Sequence, residues 1–201
     1  MRALAVLPAG PCVGPVARLT RGGGKLAAAR PALRHARSPS HRLCSCKAGS
    51  SSPQIYVETP LIKSTPMSEL LGLPVWLKMD ALQPSGSFKL RGVSLACQRA
   101  IEGGATCLVS SSGGNAGLAV AYAGQVLGIP VTVVLPETTP AFISGKLRSY
   151  GAEVIVHGAM WSEANARAEE VAGAKGGVLI HPFDMEDLWD GHATLVEEVK
   201  R

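Results

Sequence analysis

The segment LVSSSGGNAGLAVAYA, Leu108 to Ala123, decides the fold, because it passes from strand pattern to helix pattern within a few residues. An apolar run that begins at Leu108 is followed by a polar turn rich in serine and glycine, and then by small and apolar residues typical of a buried helix. Strand, turn and helix in this order place the turn at the carboxyl end of a strand, where open α/β sheets bind their ligands.

The turn at Ser112 to Ala116 is predicted to bind an anion. Amides in the first turn of a helix have no partner within the helix and lie at the positive end of its dipole. The Ser112 hydroxyl and the Asn115 amide add hydrogen-bonding capacity, which suits a carboxylate or a phosphate. The turn matches neither the dinucleotide-binding glycine pattern nor the P-loop pattern. An ordinary helix cap, with glycines that allow a tight turn, is the alternative that these residues leave open.

Outward from this segment, a glycine precedes each of four short apolar runs. Gly104, Gly128, Gly151 and Gly177 are 23 to 26 residues apart and are each predicted to end a helix. The intervals carry helical patterns over 115–127, 140–150 and 161–175, and a further helix is predicted from Glu186 to the end.

Strands that are apolar along their whole length and alternate with helices are typical of a parallel sheet with right-handed crossovers. The prediction is an α/β domain of about four strands over 105–183, within a small domain of about 93–185. The segments TPLIKS and VWLKMD predict two earlier strands.

The net charge of +5 does not predict nucleic-acid binding, because the positive charge lies at the front of the chain. Residues 1–57 hold seven Arg, two Lys and no acid, so the remaining 11 basic and 15 acidic residues give a net charge of −4. No apolar run is long enough to cross a membrane. The acid-free, Arg-rich and Ser-rich front predicts a transit peptide over 1–54, for a mitochondrion or a chloroplast. A disordered basic tail on a cytoplasmic protein is the alternative.

The cysteines and histidines predict no metal site. Cys97 and Cys107 are far apart and lack the spacing of a zinc site or a disulfide framework, so both are expected as reduced core residues. His157, His181 and His192 also lack ligand spacing and are expected in structural or surface roles.

A second polar turn, QPSGSFKLRG at Gln83 to Gly92, contains a single lysine, Lys89. A lysine in such a turn is usually a solvated loop residue. Phe88 and Leu90 flank it with apolar surface, however, and a desolvated lysine has a lowered amine pKa that frees the nucleophile needed for a Schiff base. Together with an anion site, this lysine suggests amino-acid chemistry on pyridoxal phosphate.

Several segments together closely resemble one branch of the fold-type II pyridoxal-phosphate enzymes. These segments are QPSGSFKLRG, SSSGGNAGLAVAYA, LGIPVTVVLPETTP and the later PFD and LWDGHATLVEEV. That branch is the serine dehydratases and serine dehydratase-like proteins, and the resemblance runs from about Val57 to Arg201. Ala116 after Asn115 is similar to the serine dehydratases, whereas serine racemases and threonine deaminases usually have histidine there.

The resemblance implies L-serine ammonia-lyase activity, which converts L-serine to pyruvate and ammonia and L-threonine to 2-oxobutanoate and ammonia. It implies that Lys89 binds pyridoxal 5′-phosphate and removes the α-proton, that Phe88 packs on its ring and that Asn115 bonds its phenolate oxygen. The substrate carboxylate would be held by a set of turn residues: Ser112, Gly113, Gly114, Asn115 and Ala116. A homodimer is implied for the full-length enzyme.

In this family the cofactor phosphate is held by a tetraglycine loop that follows the GHATLVEEVK helix, and the sequence contains no such loop. The expectation is therefore a C-terminally truncated product, a fragment or an incomplete gene. Two functional classes stay open: a serine/threonine ammonia-lyase, with serine racemase and threonine deaminase as relatives of the same family, or an inactive α/β module without cofactor.

Overall fold

The structure, a computed structural model, describes residues 53–201. Six strands and six helices occur within this range, together with a short 3-10 turn at Asp80–Leu82. The strands are β1 Leu61–Lys63, β2 Trp76–Lys78, β3 Leu108–Ser110, β4 Val131–Leu135, β5 Glu153–Val156 and β6 Val178–Leu179. The helices are α1 Thr65–Leu71, α2 Lys89–Glu102, α3 Asn115–Leu127, α4 Ala141–Ser149, α5 Trp161–Lys175 and α6 Glu186–Val199.

The central sheet has four parallel strands in the order β5-β4-β3-β6, which confirms the α/β fold predicted from the sequence. Val109 of β3 lies opposite Thr132 of β4 on one side and Leu179 of β6 on the other. Every residue of β3 and β4 is buried, as expected for strands that have helices on both faces. The carboxyl ends of β3 and β6 therefore lie side by side at one edge of the sheet.

The helices that follow these strands agree with the predicted ranges, and most of the predicted glycines lie at their ends. Gly128 ends α3 in the left-handed conformation, and Gly104 and Gly151 also have positive φ just after α2 and α4. The prediction for Gly177 was wrong, because the left-handed residue that ends α5 is its neighbour, Gly176. Gly177 instead lies against Cys107, where a β-carbon would come within 2.9 Å of the Cys107 carbonyl oxygen.

Helices α2 and α6 cross at two glycines, which lets their backbones come close together. A β-carbon on Gly191 would lie 2.6 Å from the Arg91 carbonyl oxygen and 2.6 Å from the Gly92 α-carbon. The far side of α2 packs on α3 through the main core cluster, which includes Leu90, Val93 and Leu118. Helix α2 is thus held between α3 and α6.

The two predicted early strands are confirmed as an antiparallel pair, with Ile62 of β1 opposite Leu77 of β2. Both strands are largely exposed. Helix α1, which connects them, was not predicted. It begins after Ser64, whose hydroxyl accepts a hydrogen bond from the Met67 amide.

Cys97 and Cys107 are buried free thiols, as predicted, and burial raises the pKa of Cys97 to about 12. Among residues 53–201, no helix is long and apolar enough to span a membrane. The predicted transit peptide falls almost entirely outside the described residues, so it stays a prediction, as does the domain boundary at about 93–185.

Candidate active site

Lys89 is the first residue of helix α2 and not part of an open turn, as the sequence had suggested. Its amine is half-buried and donates a hydrogen bond of 2.8 Å to the carbonyl oxygen of Pro182. Burial lowers the pKa of Lys89 below its ordinary value. The positive end of the α2 dipole also disfavours a cation here. Both effects favour the neutral, nucleophilic amine.

Phe88 precedes Lys89 and is partly exposed. The centre of its ring lies 5.3 Å from the Lys89 amine and 5.0 Å from the centre of the His192 ring. The Phe88 ring therefore forms an apolar surface directly beside the amine, with one part still accessible.

The turn after β3 folds as predicted, into the first turn of α3. Gly114 donates its amide hydrogen to Ser112 Oγ at 3.2 Å, which leaves the Ser112 hydroxyl proton available to another acceptor. Asn115 is exposed, whereas Ala116 is buried. A β-carbon on Gly113 would lie 2.9 Å from Thr139 Cγ2, so a larger residue there would require the Thr139 side chain to move.

The lysine and the turn lie at the same edge of the sheet. Pro182, which accepts the bond from Lys89, comes three residues after β6 ends, and the Ser112 to Ala116 turn follows β3. Strands β3 and β6 are parallel neighbours, so their carboxyl ends face the same way. The hydrogen bond from Lys89 thus goes to the segment that follows β6.

Three buried side-chain polar atoms have no hydrogen-bond partner among residues 53–201, and all three lie on or against the segment that carries Lys89. They are Ser85 Oγ, Ser87 Oγ and His192 Nε2. Unpaired buried polar atoms are rare in folded proteins and often mark places where a ligand or water binds. Neither serine had a role predicted from the sequence, and His192 was expected in a structural or surface role. The two serines were visible in the QPSGSFKLRG motif, but no spacing rule connects His192 to that motif.

A buried cluster of charged side chains surrounds Arg91, two residues after Lys89. The sequence did not predict this cluster. Arg91 is fully buried, donates from Nε to Asp80 Oδ2 at 2.7 Å, and donates from Nη1 to Glu198 Oε1 at 2.6 Å. Lys78 pairs with Glu198, and Thr59 donates to Asp80. Two cations and two anions thus neutralise each other and tie α2 to α6 and to β2.

Residues 53–201 match the family described as "Pyridoxal-phosphate dependent enzyme". The chain belongs to this family. The family predicted from the sequence is therefore confirmed, and so is pyridoxal 5′-phosphate as the family's cofactor.

Relatives of this pyridoxal-phosphate family member include human "Serine dehydratase-like", 50% identical over 145 residues that cover 72% of this chain and 44% of the relative. "L-serine dehydratase" of Dictyostelium discoideum is 44% identical and is covered to 45%. The chain thus spans about half the length of the curated relatives it matches. Among solved structures, a fungal L-serine ammonia-lyase from Rhizomucor miehei is similar with a TM-score of 0.68 and 33% identity, over 73% of this chain and 47% of that one.

The residues present fit pyridoxal phosphate on three structural observations. Lys89 offers a half-buried amine of lowered pKa, which can condense with an aldehyde. The unpaired Ser85 and Ser87 hydroxyls lie four and two residues before it, respectively. The glycine turn after β3 leaves open space at Gly114, where a β-carbon would meet nothing nearer than Ser112 Oγ at 3.9 Å.

Proposed function

We propose that the protein carrying this sequence is a pyridoxal-phosphate dependent L-serine ammonia-lyase that also accepts L-threonine. It would convert L-serine to pyruvate and ammonia, and L-threonine to 2-oxobutanoate and ammonia. The observation that carries this proposal is the half-buried Lys89 amine at the same sheet edge as the Ser112 to Ala116 turn, which the sequence predicts to bind an anion. The names of the relatives, serine dehydratase-like and L-serine dehydratase, support the choice of reaction.

When bound, pyridoxal phosphate supplies an electron sink for the substrate's α-carbon. Lys89 would hold it covalently through Nζ, the Phe88 ring would pack against it, and the Asn115 amide would bond its phenolate oxygen. The turn residues would bind the substrate carboxylate through backbone amides and the Ser112 hydroxyl. Those residues are Ser112, Gly113, Gly114, Asn115 and Ala116.

Lys89 would carry out the proton transfers. Burial lowers the pKa of Lys89, which favours the neutral amine that would take the proton from the substrate's α-carbon. The Phe88 ring lies beside the amine, and the Pro182 carbonyl would accept a hydrogen bond from the protonated amine. That proton would leave with the β-hydroxyl as water, and hydrolysis of the released 2-aminoacrylate, through its imine tautomer, would give pyruvate and ammonia.

The decisive experiment is reductive trapping. With pyridoxal phosphate and borohydride, Lys89 should carry a stable adduct, because reduction turns a reversible imine into an amine. Lys89→Arg should abolish the adduct at that position, whereas Lys146→Arg, at an exposed lysine on α4, should leave it unchanged. An adduct that maps to Lys78 or Lys146 instead would overturn the assignment.

Amino-acid racemisation is a second candidate, because a serine racemase from Dictyostelium discoideum is also similar in structure, with a TM-score of 0.66 and 30% identity. Both reactions begin with removal of the same α-proton. The two are distinguished by incubating the loaded enzyme with L-serine and measuring pyruvate, ammonia and D-serine together. Pyruvate and ammonia in equal amounts, without D-serine, would support the lyase. D-serine without pyruvate would support the racemase.

We propose further that the natural enzyme is a homodimer and that it is imported into a mitochondrion or a chloroplast. The support for import is the acid-free, arginine-rich front of the sequence. N-terminal sequencing of the mature protein from its source tests it, with a new N-terminus between about residues 37 and 54 expected.

A further inference from the structure

His192 lies on α6 where this helix crosses α2, and glycines at the crossing allow the two backbones to come close together. Its Nδ1 accepts a hydrogen bond of 3.2 Å from the Gly92 amide. A β-carbon on Gly92 would lie 2.7 Å from His192 Cε1, so only glycine leaves room for the imidazole ring. The ring also contacts Phe88, the neighbour of Lys89. His192 therefore touches α2 on both sides of Lys89 along the chain.

The hydrogen bond to Gly92 adds a contact from α6 to the first turn of α2. In the first turn of α2, the Leu90 amide bonds to Ser87 and the Arg91 amide bonds to the Phe88 carbonyl. Phe88, at the position that caps the helix, has no side-chain acceptor. The Gly92 amide donates to an imidazole from another helix. His192 thus links α6 to the turn that begins at Lys89.

This contact also fixes where the imidazole carries its proton. A neutral histidine that accepts at Nδ1 must hold its one hydrogen on Nε2. His192 Nε2 is buried and has no partner among residues 53–201. Doubly protonated imidazole could not accept from Gly92 at all, because both of its nitrogens would then be donors. The bond to Gly92 therefore requires the neutral ring.

The charges around His192 also favour the neutral ring. Burial lowers the pKa of His192, and the nearby cations Lys89 and Arg91 on α2 lower it further, while Asp80 in the 3-10 turn opposes them. On its own helix, Asp187 and Asp190 pair with Arg99, and Glu198 pairs with Arg91 and Lys78. The ring is thus neutral at physiological pH and gains its proton only in acid.

We infer that His192 is a positioning residue for Lys89: its neutral imidazole holds the first turn of α2 through the Gly92 amide, and protonation of the imidazole releases that turn. The inference rests on the proposed role of Lys89. It implies that the reactivity of Lys89 decreases in acid in two stages, one set by the lysine itself and one set by His192.

The first test uses nuclear magnetic resonance on the isotope-labelled 201-residue chain and needs no substitution. At neutral pH the His192 nitrogen shifts should show the tautomer with hydrogen on Nε2. As the pH falls, the Gly92 amide resonance should move with the same midpoint as the His192 ring. A hydrogen on Nδ1, or a Gly92 amide that does not follow the ring, would overturn the inference.

The second test compares variants by the rate at which pyridoxal phosphate and cyanoborohydride label Lys89, measured by peptide mapping. His192→Leu lacks an acceptor and should slow labelling about tenfold at neutral pH, the effect expected for leaving one buried amide unpaired. His192→Gln keeps an amide oxygen that can accept from Gly92 but does not titrate. It should label at nearly the wild-type rate and lose the acid stage that wild type shows. His157→Gln, at an exposed histidine, is the matched control and should behave as wild type.

The outcomes separate this inference from the proposed function. The role of His192 would be overturned if Lys89 in His192→Leu were labelled at the wild-type rate. It would also be overturned if the labelling rate of His192→Gln fell in acid in the same two stages as that of wild type. If Lys89 is never labelled, even in wild type, the proposed function fails and the resonance measurement alone decides the role of His192. If His192→Leu does not fold, His192→Gln and the wild-type tautomer still decide it.

Discussion

Arg91 is the residue that binds the lysine-bearing helix to the rest of the protein. A buried guanidinium is costly unless every donor is paired, and here Asp80, Glu198 and Thr194 together satisfy the group. Arg91 lies two residues after Lys89, so its position fixes the start of α2 as well as the charge balance behind the site. The cluster fixes the position of α2 more than it stabilises the fold, because the attraction between buried ions is largely offset by the loss of their hydration.

Replacing Arg91 with methionine should destabilise the fold by about 3–5 kcal/mol, because Asp80 and Glu198 would remain buried with only Lys78 to balance them. Urea unfolding followed by circular dichroism measures the change. Arg167→Met is the matched control, since Arg167 makes an exposed pair with Glu170 on α5. We expect the control to change the free energy of unfolding by less than about 0.5 kcal/mol. Equal effects of the two substitutions would contradict the buried cluster.

The same cluster predicts how stability depends on pH. The hydrogen bond with Arg91 lowers the pKa of Glu198 from 4.5 to about 2. A carboxylate with a lowered folded-state pKa binds its proton more readily when the chain is unfolded. Its stabilising effect is therefore complete above pH 4.5 and is lost as the pH falls towards 2. Glu198→Gln should remove this component of the acid unfolding curve, whereas Glu197→Gln, an exposed neighbour, should keep it. A wild-type stability that stays constant from pH 4.5 to 2 would contradict it.

For single residues, the flanking sequence was enough to select Lys89 as a candidate site residue. It was not enough to predict the side chains that pair with Arg91. Asp80 is 11 residues away and Glu198 is 107 residues away, and neither forms a motif with the arginine. Pairings of this kind depend on how α2, α6 and β2 pack, which no local pattern encodes.

Helices α2 and α6 depend on glycine at their crossing, and this gives a prediction at the scale of elements. A methyl group on Gly191 would lie 2.6 Å from the Arg91 carbonyl oxygen, a backbone atom that cannot move without shifting α2. Gly191→Ala should therefore destabilise the fold by about 1–3 kcal/mol, the usual range for overpacking.

Gly173→Ala is the matched control, measured by the same thermal unfolding. Gly173 lies inside α5, and a methyl group added there would meet no other atom within 4 Å, so alanine should stabilise the fold by about 0.5–1 kcal/mol. If the two glycine-to-alanine substitutions change stability in opposite directions, the close crossing of α2 and α6 is established. A stabilising Gly191→Ala would contradict it.

The elements themselves were largely predictable, and the exceptions have physical reasons. Helices α3 and α5 were predicted with their observed bounds, because glycines mark their ends and small or apolar residues fill their buried faces. The start of α2 was missed because no side chain caps it: Phe88 offers no acceptor, and the contact of its first turn with His192 comes from 100 residues later in the chain. Gly177 was chosen over Gly176 because two adjacent glycines look alike until the backbone conformation separates them.

At the scale of the whole molecule, residues 53–201 bury two apolar clusters and leave large apolar side chains exposed on the β1 and β2 pair. Ile62 is 48% exposed and Trp76 is 55% exposed, and Val199 of α6 lines a shallow cavity with Leu61 and Trp76. The pair also has free edges whose backbone groups can join another strand. Contiguous exposed apolar surface of this kind drives association in water.

The 201-residue chain, purified alone, should therefore associate as its concentration rises, and sedimentation velocity over a dilution series measures this. The double substitution Ile62→Lys and Trp76→Lys places charges on both strands of the exposed pair, and it should shift the distribution to monomer because two like charges cannot be buried together. Phe142→Lys is the matched control: Phe142 is 71% exposed on α4, outside the β1 and β2 surface, so its removal should leave association unchanged. A wild-type chain that stays monomeric at every concentration, or a control that dissociates the chain as fully as the double variant, would show that this surface is not what brings copies together.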